Sequence, residues 1–255
     1  MAISEYNVVV DTRYGRMLVN KNDIYIGRSL IEYGDFSLGE VQLFQQFVPP
    51  NGIVVEAGAN IGAHTLFFAK HLTAGAVYAI EAQRLAFQTL CGNMALNSVS
   101  NALCYWAAVG SANGTMIVPV VDYSKPNNFG GLSLYGHASG DRIPILMIDE
   151  LQLTRCDLIK ADVEGMEEEV LRGATRTIER FRPVLYLESD REDKRSTLFE
   201  LIRTMGYRLY WHTPSLFSPD NFRGLNDNLF GELRSFNVLC IHASILQDIQ
   251  GMKEI

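Results

Sequence analysis

Six acidic residues stand where short apolar runs end: Glu56 after VV, Glu81 after VYAI, Asp162 and Glu164 after LIKA, Glu188 and Asp190 after LYL. Carboxylates in such places can accept hydrogen bonds from sugar hydroxyls, take protons as general bases, or hold hard divalent cations. Glu56 belongs to the most informative stretch, VVEAGANIGAHT (54–65), in which Gly58 and Gly62 bracket Asn60. Glycines on a strand-to-helix turn let the backbone approach a ligand without a Cβ clash. A helix beginning near Ile61 would add free N–H groups.

The spacing separates two chemistries. A dinucleotide fold wants G-x-G-x-x-G with pyrophosphate at the helix N-terminus. Here the order is E-x-G-x-N-x-G, with the carboxylate of Glu56 where a phosphate would arrive. Like charges in a partly dry cleft repel, so a cationic nucleoside fits better. S-adenosylmethionine carries a sulfonium and an ammonium and no phosphate. Glu81, about 20 positions after the glycine loop, is placed to accept hydrogen bonds from ribose hydroxyls. The expected donor-binding set is Glu56, Gly58, Ala59, Asn60, Gly62, Glu81, Ala82 and Asp162. On this reading Gly58→Val abolishes donor binding while the protein still folds.

Asp162 and Glu164 flank Val163, and alternation sends their side chains in similar directions. Asp162 is read as a donor ligand or base, and Glu164 as an acceptor-orienting group or as sharing a metal with Asp162. The plain alternative is that one of them caps the helix that follows. His212, in YWHTP, is a further candidate base, its imidazole titrating near neutrality, or else a packed residue. The catalytic candidates are therefore Asp162, Glu164 and His212. Glu188 and Asp190 line an acceptor pocket or a solvated loop. His64 is read as lining or packing. No metal ligand set is assigned; a divalent cation is possible but not expected.

The elements that must position these groups follow from the pattern. Residues 6–28 read as short β pieces (YNVVVD, RMLVN, DIYIG), and 39–48 as a helix closed by Pro49, Pro50, Asn51 and Gly52. Apolar strands then alternate with amphipathic helices: strands at 53–57, 76–80, 102–106, 157–161 and 183–187, helices at 61–72, 84–97, from 166 with a break at Gly173, and at 194–205. Strands at 207–211 and 237–242 close the chain. Buried strands between helices mean a sheet covered on both faces, with ligands beyond the strands' carboxyl ends. The polar stretches 122–141 and 212–228 are read as loops over the cleft. Asp122, Asn127, Tyr123, Phe129 and Tyr135 are the first loop's candidates for adenine or sugar contacts.

These features together resemble the FkbM family of methyltransferases. The resemblance rests on the loop at 56–62, Glu81, the segment IKADVEGME (159–167), and AAVGSANGT (107–115) after the third strand, and covers roughly residues 30–242. It implies a class I methyltransferase fold: a Rossmann-like three-layer α/β sandwich around a mainly parallel seven-stranded sheet with one reversed strand near the C-terminus. A small N-terminal β extension (1–50) precedes the methyltransferase domain (51–245). The resemblance also implies O-methylation of a sugar hydroxyl, on a glycan or glycosylated metabolite, with S-adenosyl-L-homocysteine as product. A lipid, small aromatic or amino acceptor, a non-catalytic nucleoside-binding module and an NAD-dependent oxidoreductase are the other readings.

Composition sets the remaining expectations. The chain has 255 residues and a formal net charge of −7, a poor match to a phosphate-tracking surface, so no nucleic-acid partner is expected. There is no apolar run of transmembrane length and no signal-like start, so no membrane span is expected and a cytoplasmic location is. Cys91, Cys104, Cys156 and Cys240 are scattered without a CxxC pair and read as buried, reduced thiols rather than a zinc site. Oligomeric state and acceptor regiochemistry are not legible.

Overall fold

A computed structural model describes residues 5–245, 249 and 251–255. The first four residues of the expected N-terminal extension lie outside the described residues. The chain opens with a hairpin, β1 (Asn7–Thr12) and β2 (Gly15–Asn20), followed by α1 (Ile26–Tyr33) and α2 (Leu38–Phe47). Alternation then begins: β3 (Ile53–Ala57), α3 (Ala63–His71), β4 (Ala76–Glu81), α4 (Arg84–Leu96), β5 (Ala102–Trp106). A small β subunit follows: β6 (Ala108–Val109), β7 (Gly114–Val118) and β8 (Asp141–Leu146). The chain continues through a 3-10 turn (Ile148–Leu151), β9 (Leu158–Ala161), α5 (Glu167–Arg172), α6 (Thr175–Phe181), β10 (Val184–Glu188), α7 (Glu192–Thr204), β11 (Tyr207–His212) and β12 (Asn237–His242).

The main sheet has seven strands in the order β11-β12-β10-β9-β3-β4-β5. Every pairing from β10 to β5 is parallel, and β12 alone runs antiparallel, against both β10 and β11. This is the class I methyltransferase sheet with its single reversed strand. The order turns between β3 and β9, so the crevice beyond their carboxyl ends is the natural ligand site.

Alternation assigns each strand residue to a layer. Val55, Ala57, Ile159, Ala161, Leu185 and Leu187 pack with Val170, Leu171, Ile178, Leu198 and Ile202 from α5, α6 and α7. Val54, Leu158, Val184 and Tyr186 face the other way, onto Val41, Phe44, Phe67 and Phe68 of α2 and α3. Both faces are apolar over most of their area, which is why the strands read as continuous hydrophobic runs. The hairpin closes a third cluster, in which Met17 and Val19 meet Ile61, Leu66, Leu90 and Met94.

Three local departures from the sequence reading have physical causes. DIYIG is not a third β piece but the entry to α1. Asp23 accepts the amide of Tyr25 on its side chain and that of Arg28 on its carbonyl, and α1 then buries Leu30 and Tyr33. Isolated β-branched residues mimicked a strand until this turn fixed the period. The three-stranded sheet β6-β8-β7 was not anticipated, because β7 sits among polar residues and pairs only with β8. Cys91 and Cys104 are half-buried, whereas Cys156 and Cys240 are buried; all four are free thiols. The break at Gly173 is real: a Cβ there would meet the carbonyl oxygen of Gly110 at 2.0 Å. Among the described residues no helix is long and apolar enough to cross a membrane.

Candidate functional site

A cavity of about 240 Å3 opens beyond the carboxyl ends of β3, β4, β9 and β10. One side is built from Gly58, Asn60, Glu81, Ala82, Gln83, Ala107 and Val109, the other from Asp162, Glu164, Glu188 and Asp190. Tyr25, Ile26, Phe36 and Glu40 of the N-terminal extension and Leu216, Leu233 and Phe236 near the C-terminus complete the wall.

The loop after β3 is held tightly. Asn60 takes a left-handed backbone at φ 49°, which Asn tolerates better than most residues, and its amide donates 2.8 Å to Glu81 Oε2. Gln83 donates its amide to Glu81 Oε1 at 2.7 Å. Glu81 therefore bridges the two loops that face the cavity and is itself 5% exposed. Each carboxylate oxygen keeps acceptor capacity for a ligand hydroxyl. Burial pushes Glu81 up to about 7, partly offset by the amides of Gln83 and Asn60.

Several residues of the expected donor-binding set have a scaffold role, Gly58 in addition to its place in the cavity wall. Gly58 has φ 82°, and a Cβ on it would lie 1.8 Å from the carbonyl oxygen of Asp162. Its glycine is demanded by the crossing of two backbones, so Gly58→Val would disturb the fold itself, contrary to the expectation from sequence. Gly62 caps α3 at φ 87°, and its missing Cβ makes room for Leu90 Cδ1 of α4 at 2.6 Å. Gly62 and Ala59 are not among the residues lining the cavity.

Glu56 is the clearest correction. It shares its strand face with Val54, so alternation turns it under the sheet toward α2 and α3, away from the cavity. There it is 1% exposed and accepts a 2.6 Å hydrogen bond from Thr65 Oγ1. Burial pushes it up to about 7, opposed by the charge of Lys160. Lys160 lies in the same layer, 3% exposed, with its Nζ 3.5 Å from Asp162. Burial pulls the Lys160 ammonium down, but Asp162, Glu56 and Glu40 together outweigh it and leave the group raised. His64 completes the layer, packed between Phe36 and Phe44. Burial and then Lys160 hold His64 well below its ordinary value, so its 3.8 Å approach to Glu40 is a contact of a neutral ring.

His212 does not line the cavity. Its Nδ1 meets Tyr186 Oη at 2.7 Å, the same hydroxyl accepts from Asn237 Nδ2 at 2.9 Å, and Asn237 also donates to Glu40. Burial holds His212 down at about 4. It is a half-buried member of a chain of polar groups that reaches the cavity wall through Asn237 and Glu40, while its own ring stays outside that wall.

Asp162 and Glu164 do face the cavity together, joined by Glu188 from β10. One oxygen from each of the three lies within 4.8 Å of the others. Glu164 stands at φ 54° and Gly165 at φ 96°, a turn that throws the Glu164 side chain toward the cleft. A left-handed non-glycine residue costs on the order of 1 kcal/mol or more and collects at functional sites. The capping alternative is not realised: α5 has no side-chain cap, and Glu167 Oε1 instead accepts the amides of Val163 and Gly165 in the turn before the helix. Asp162 and Glu164 are thereby left for the cavity. Glu164 pairs with Arg191 at 2.7 Å, and burial followed by the charge of Asp162 pushes it up to about 7, against the pull of Arg191. Burial and then Asp162, Glu164 and Asp190 raise Glu188 well above the usual carboxylate range.

The loop candidates divide. Asp122 is exposed and pairs with Ser124 and Lys125, and Asn127 ties its backbone to Asn22 and Ile24; neither lines the cavity. Tyr123 and Phe129 stack at 4.2 Å, and through Tyr123 Oη and the Phe129 carbonyl they hold both ends of the Gln83 amide. Their neighbours Asn128, Gly130, Gly131 and Leu134 form the wall. Tyr135 lies under Lys194, 4.4 Å from ring centroid to ammonium.

Glu40 and the apolar wall escaped sequence reasoning. Glu40 sits inside the apolar helix face LGEVQLF, where one acid looks like a solvated position, yet it is 5% exposed. Phe36, Leu216, Leu233 and Phe236 come from segments with no period to flag them.

The chain is similar to known methyltransferases. Methyltransferase 1 of Beauveria bassiana is 26% identical over 151 residues, covering 49% of this chain and 59% of that protein. Methyltransferase sdnD of Sordaria araneosa is 26% identical over 159 residues, covering 49% and 61%. The chain thus spans about three fifths of the length of these relatives. Among solved structures, a Methyltransferase FkbM from Methylobacillus flagellatus overlaps with TM-score 0.49 at 19% identity, covering 75% of this chain and 44% of that one. TYW2 of M. jannaschii, solved in complex with AdoMet, overlaps with TM-score 0.48 at 14% identity, covering 94% and 87%. Residues 56–209, which carry the loop after β3, Glu81 and the Asp162–Glu164 turn, match the Methyltransferase FkbM domain, and the chain belongs to that family.

Proposed function

We propose that the protein is an S-adenosylmethionine-dependent O-methyltransferase whose acceptor is a sugar hydroxyl of a glycan or glycosylated metabolite. One observation carries this reading: a single cavity has a ribose-type acceptor, Glu81, on one side and paired carboxylates, Asp162 and Glu164, on the other.

The residues present suit the donor. Glu81 offers two oriented oxygens to ribose hydroxyls, and Ala82, Ala107, Ala108 and Val109 leave an apolar slot for a flat base. Asp162, 44% exposed, offers negative charge to a cationic ligand. S-adenosylmethionine, when bound, supplies a methyl group on a sulfonium sulfur. The chain's own work is to align the acceptor and exclude water, which can supply much of the rate. Phe36, Leu216, Leu233 and Phe236 give the site an apolar wall. An alcohol is a poor nucleophile until its proton leaves, and Glu164, held near neutrality, is suited to accept it. Arg191 steadies the Glu164 carboxylate on its outer side. Acidic groups opposite apolar ones suit a sugar attached to an apolar body. The free, buried thiols of Cys156 and Cys240 go with a reducing, cytoplasmic setting.

Calorimetry tests the donor directly. S-adenosylhomocysteine should bind with a Kd of about 1 μM to 1 mM, and NAD should not bind. Binding of NAD without S-adenosylhomocysteine would overturn the reading. Transfer of labelled methyl groups to oligosaccharides and glycosides, set against simple alcohols and lipids, then tests the acceptor.

A further inference from the structure

We propose that Asp162, Glu164 and Glu188 form a binding site for a divalent cation of the magnesium or manganese class, at the acceptor side of the cavity. For its role this deepens the methyl-transfer reading and rests on it; for binding it stands on the geometry alone.

Three carboxylates supply one oxygen each, all within 4.8 Å of one another. A six-coordinate ion holds neighbouring oxygens roughly 3–4 Å apart, so small side-chain adjustments bring three of them onto one ion. The ligands are well anchored. They come from the carboxyl ends of β9 and β10, which pair in parallel register from Val184–Leu158 to Leu187–Ala161.

A second observation points to a ligand. Glu188 Oε2 is shut off from solvent and has no hydrogen-bond partner, although its residue lines the cavity. A buried carboxylate oxygen with nothing to bind is rare in a folded protein. The cations nearby make their hydrogen bonds elsewhere, and Arg191 Nε, also buried, has no partner. Arg191 holds Glu164 at 2.7 Å, Lys194 Nζ donates to the Gly165 carbonyl at 2.8 Å, and Lys160 lies under the sheet beside Asp162 at 3.5 Å. None of these hydrogen bonds reaches Glu188, although the charges of Lys160 and Arg191 act on it. Glu188, a residue of the cavity lining, is thus left with an unsatisfied oxygen beside Asp162 and Glu164.

The donor set chooses the ion. All three ligands are hard oxygens, with no nitrogen or sulfur, which favours magnesium or manganese over zinc or copper. Three protein ligands leave coordination positions for acceptor oxygens, and two neighbouring sugar hydroxyls could occupy them. A hydroxyl so held has a lowered pKa, which meets the main chemical demand of methylating an alcohol.

Titration of the full chain with Mn2+, followed by electron paramagnetic resonance, tests the site with no acceptor present. S-adenosylhomocysteine affinity is measured on the same samples. We expect saturable binding of one Mn2+ per chain below about 1 mM, weakened at least tenfold in Glu188→Gln and in Asp162→Asn. The exposed Asp193→Asn should bind as wild type does. Circular dichroism checks each variant, and Glu164→Gln replaces any that fails to fold. If S-adenosylhomocysteine binds but Mn2+ does not, the cluster is neutralised by shared protons, and the cation site falls while the donor reading stands. Mn2+ binding that none of the substitutions weakens also overturns the site. Mn2+ binding that depends on the three carboxylates, without any donor binding, supports the site and counts against the methyltransferase reading.

Discussion

Two groups of carboxylates lie close together across the sheet edge and behave differently. Beneath the sheet, Glu56 and Glu40 are enclosed with a central cation, Lys160, and each has local donors: Thr65 for Glu56, Asn237 for Glu40. At the strand ends, Asp162, Glu164 and Glu188 crowd together, with Arg191 on Glu164 and Lys160 Nζ 3.5 Å from Asp162. In the first arrangement each acid has a donor of its own, although Glu40 also reaches the cavity wall and the neighbouring His64 Nε2 has no hydrogen-bond partner. The second is open toward a cavity and leaves an oxygen unmet. Residue type does not separate the two groups; the crowding of three carboxylates around an unpartnered oxygen does.

The sharpest way to break that contrast is to remove the cation from the closed group. Lys160→Met leaves buried carboxylates without their counter-charge, and should lower unfolding free energy by about 3–5 kcal/mol, the usual cost of orphaning a buried charge. Urea denaturation measures it. A loss under about 1 kcal/mol would mean that Glu56 and Glu40 simply take up protons and the layer is not held by charge.

The open group should respond in rate and not in stability. Asp162→Asn and Glu164→Gln each keep side-chain shape, and turnover should fall by about 100-fold, or about 2.7 kcal/mol in barrier. Circular dichroism and the urea midpoint should hardly move. Turnover within about threefold of wild type for both would place the chemistry elsewhere in the cavity, with Glu188 the next group to test.

The smallest effect concerns the far end of the closed network. His212 is held down at about 4, so between pH 4 and about 6.5 the unfolded chain binds the extra proton. Its contribution to stability is present above about 6.5 and is lost as pH falls toward 4. Comparing urea midpoints of wild type and His212→Gln across that range should show a flatter slope in the variant, by on the order of 1–2 kcal/mol after allowing for partial exposure. Equal slopes would detach His212 from the network, and a pH-rate profile altered by the substitution would return it to the cleft.

What the sequence determined by itself was the alternation of buried strands and amphipathic helices, and with it the crevice that any ligand must use. Continuous apolar runs such as VLYL and LIKA can only be strands covered on both faces, and Gly173 and Pro183 punctuate them without ambiguity. Glu81, Asp162 and Glu164 were legible as residues of that crevice, because a carboxylate at or just past a strand's carboxyl end lies at its mouth. Tertiary structure alone decided the rest. Glu56 lies one residue from the strand end, and strand parity turned it below the sheet. Gly58 owed its identity to the approach of a second backbone 104 residues away. Glu40 entered the cavity wall because α2 packs on the sheet face where Lys160 already sits. Glu188 joined Asp162 and Glu164 because β9 and β10 are neighbours in register. Local sequence records a residue's chemistry and its position along an element; which side of a sheet it faces at a boundary, and which strand lies beside it, are fixed only when the layers close.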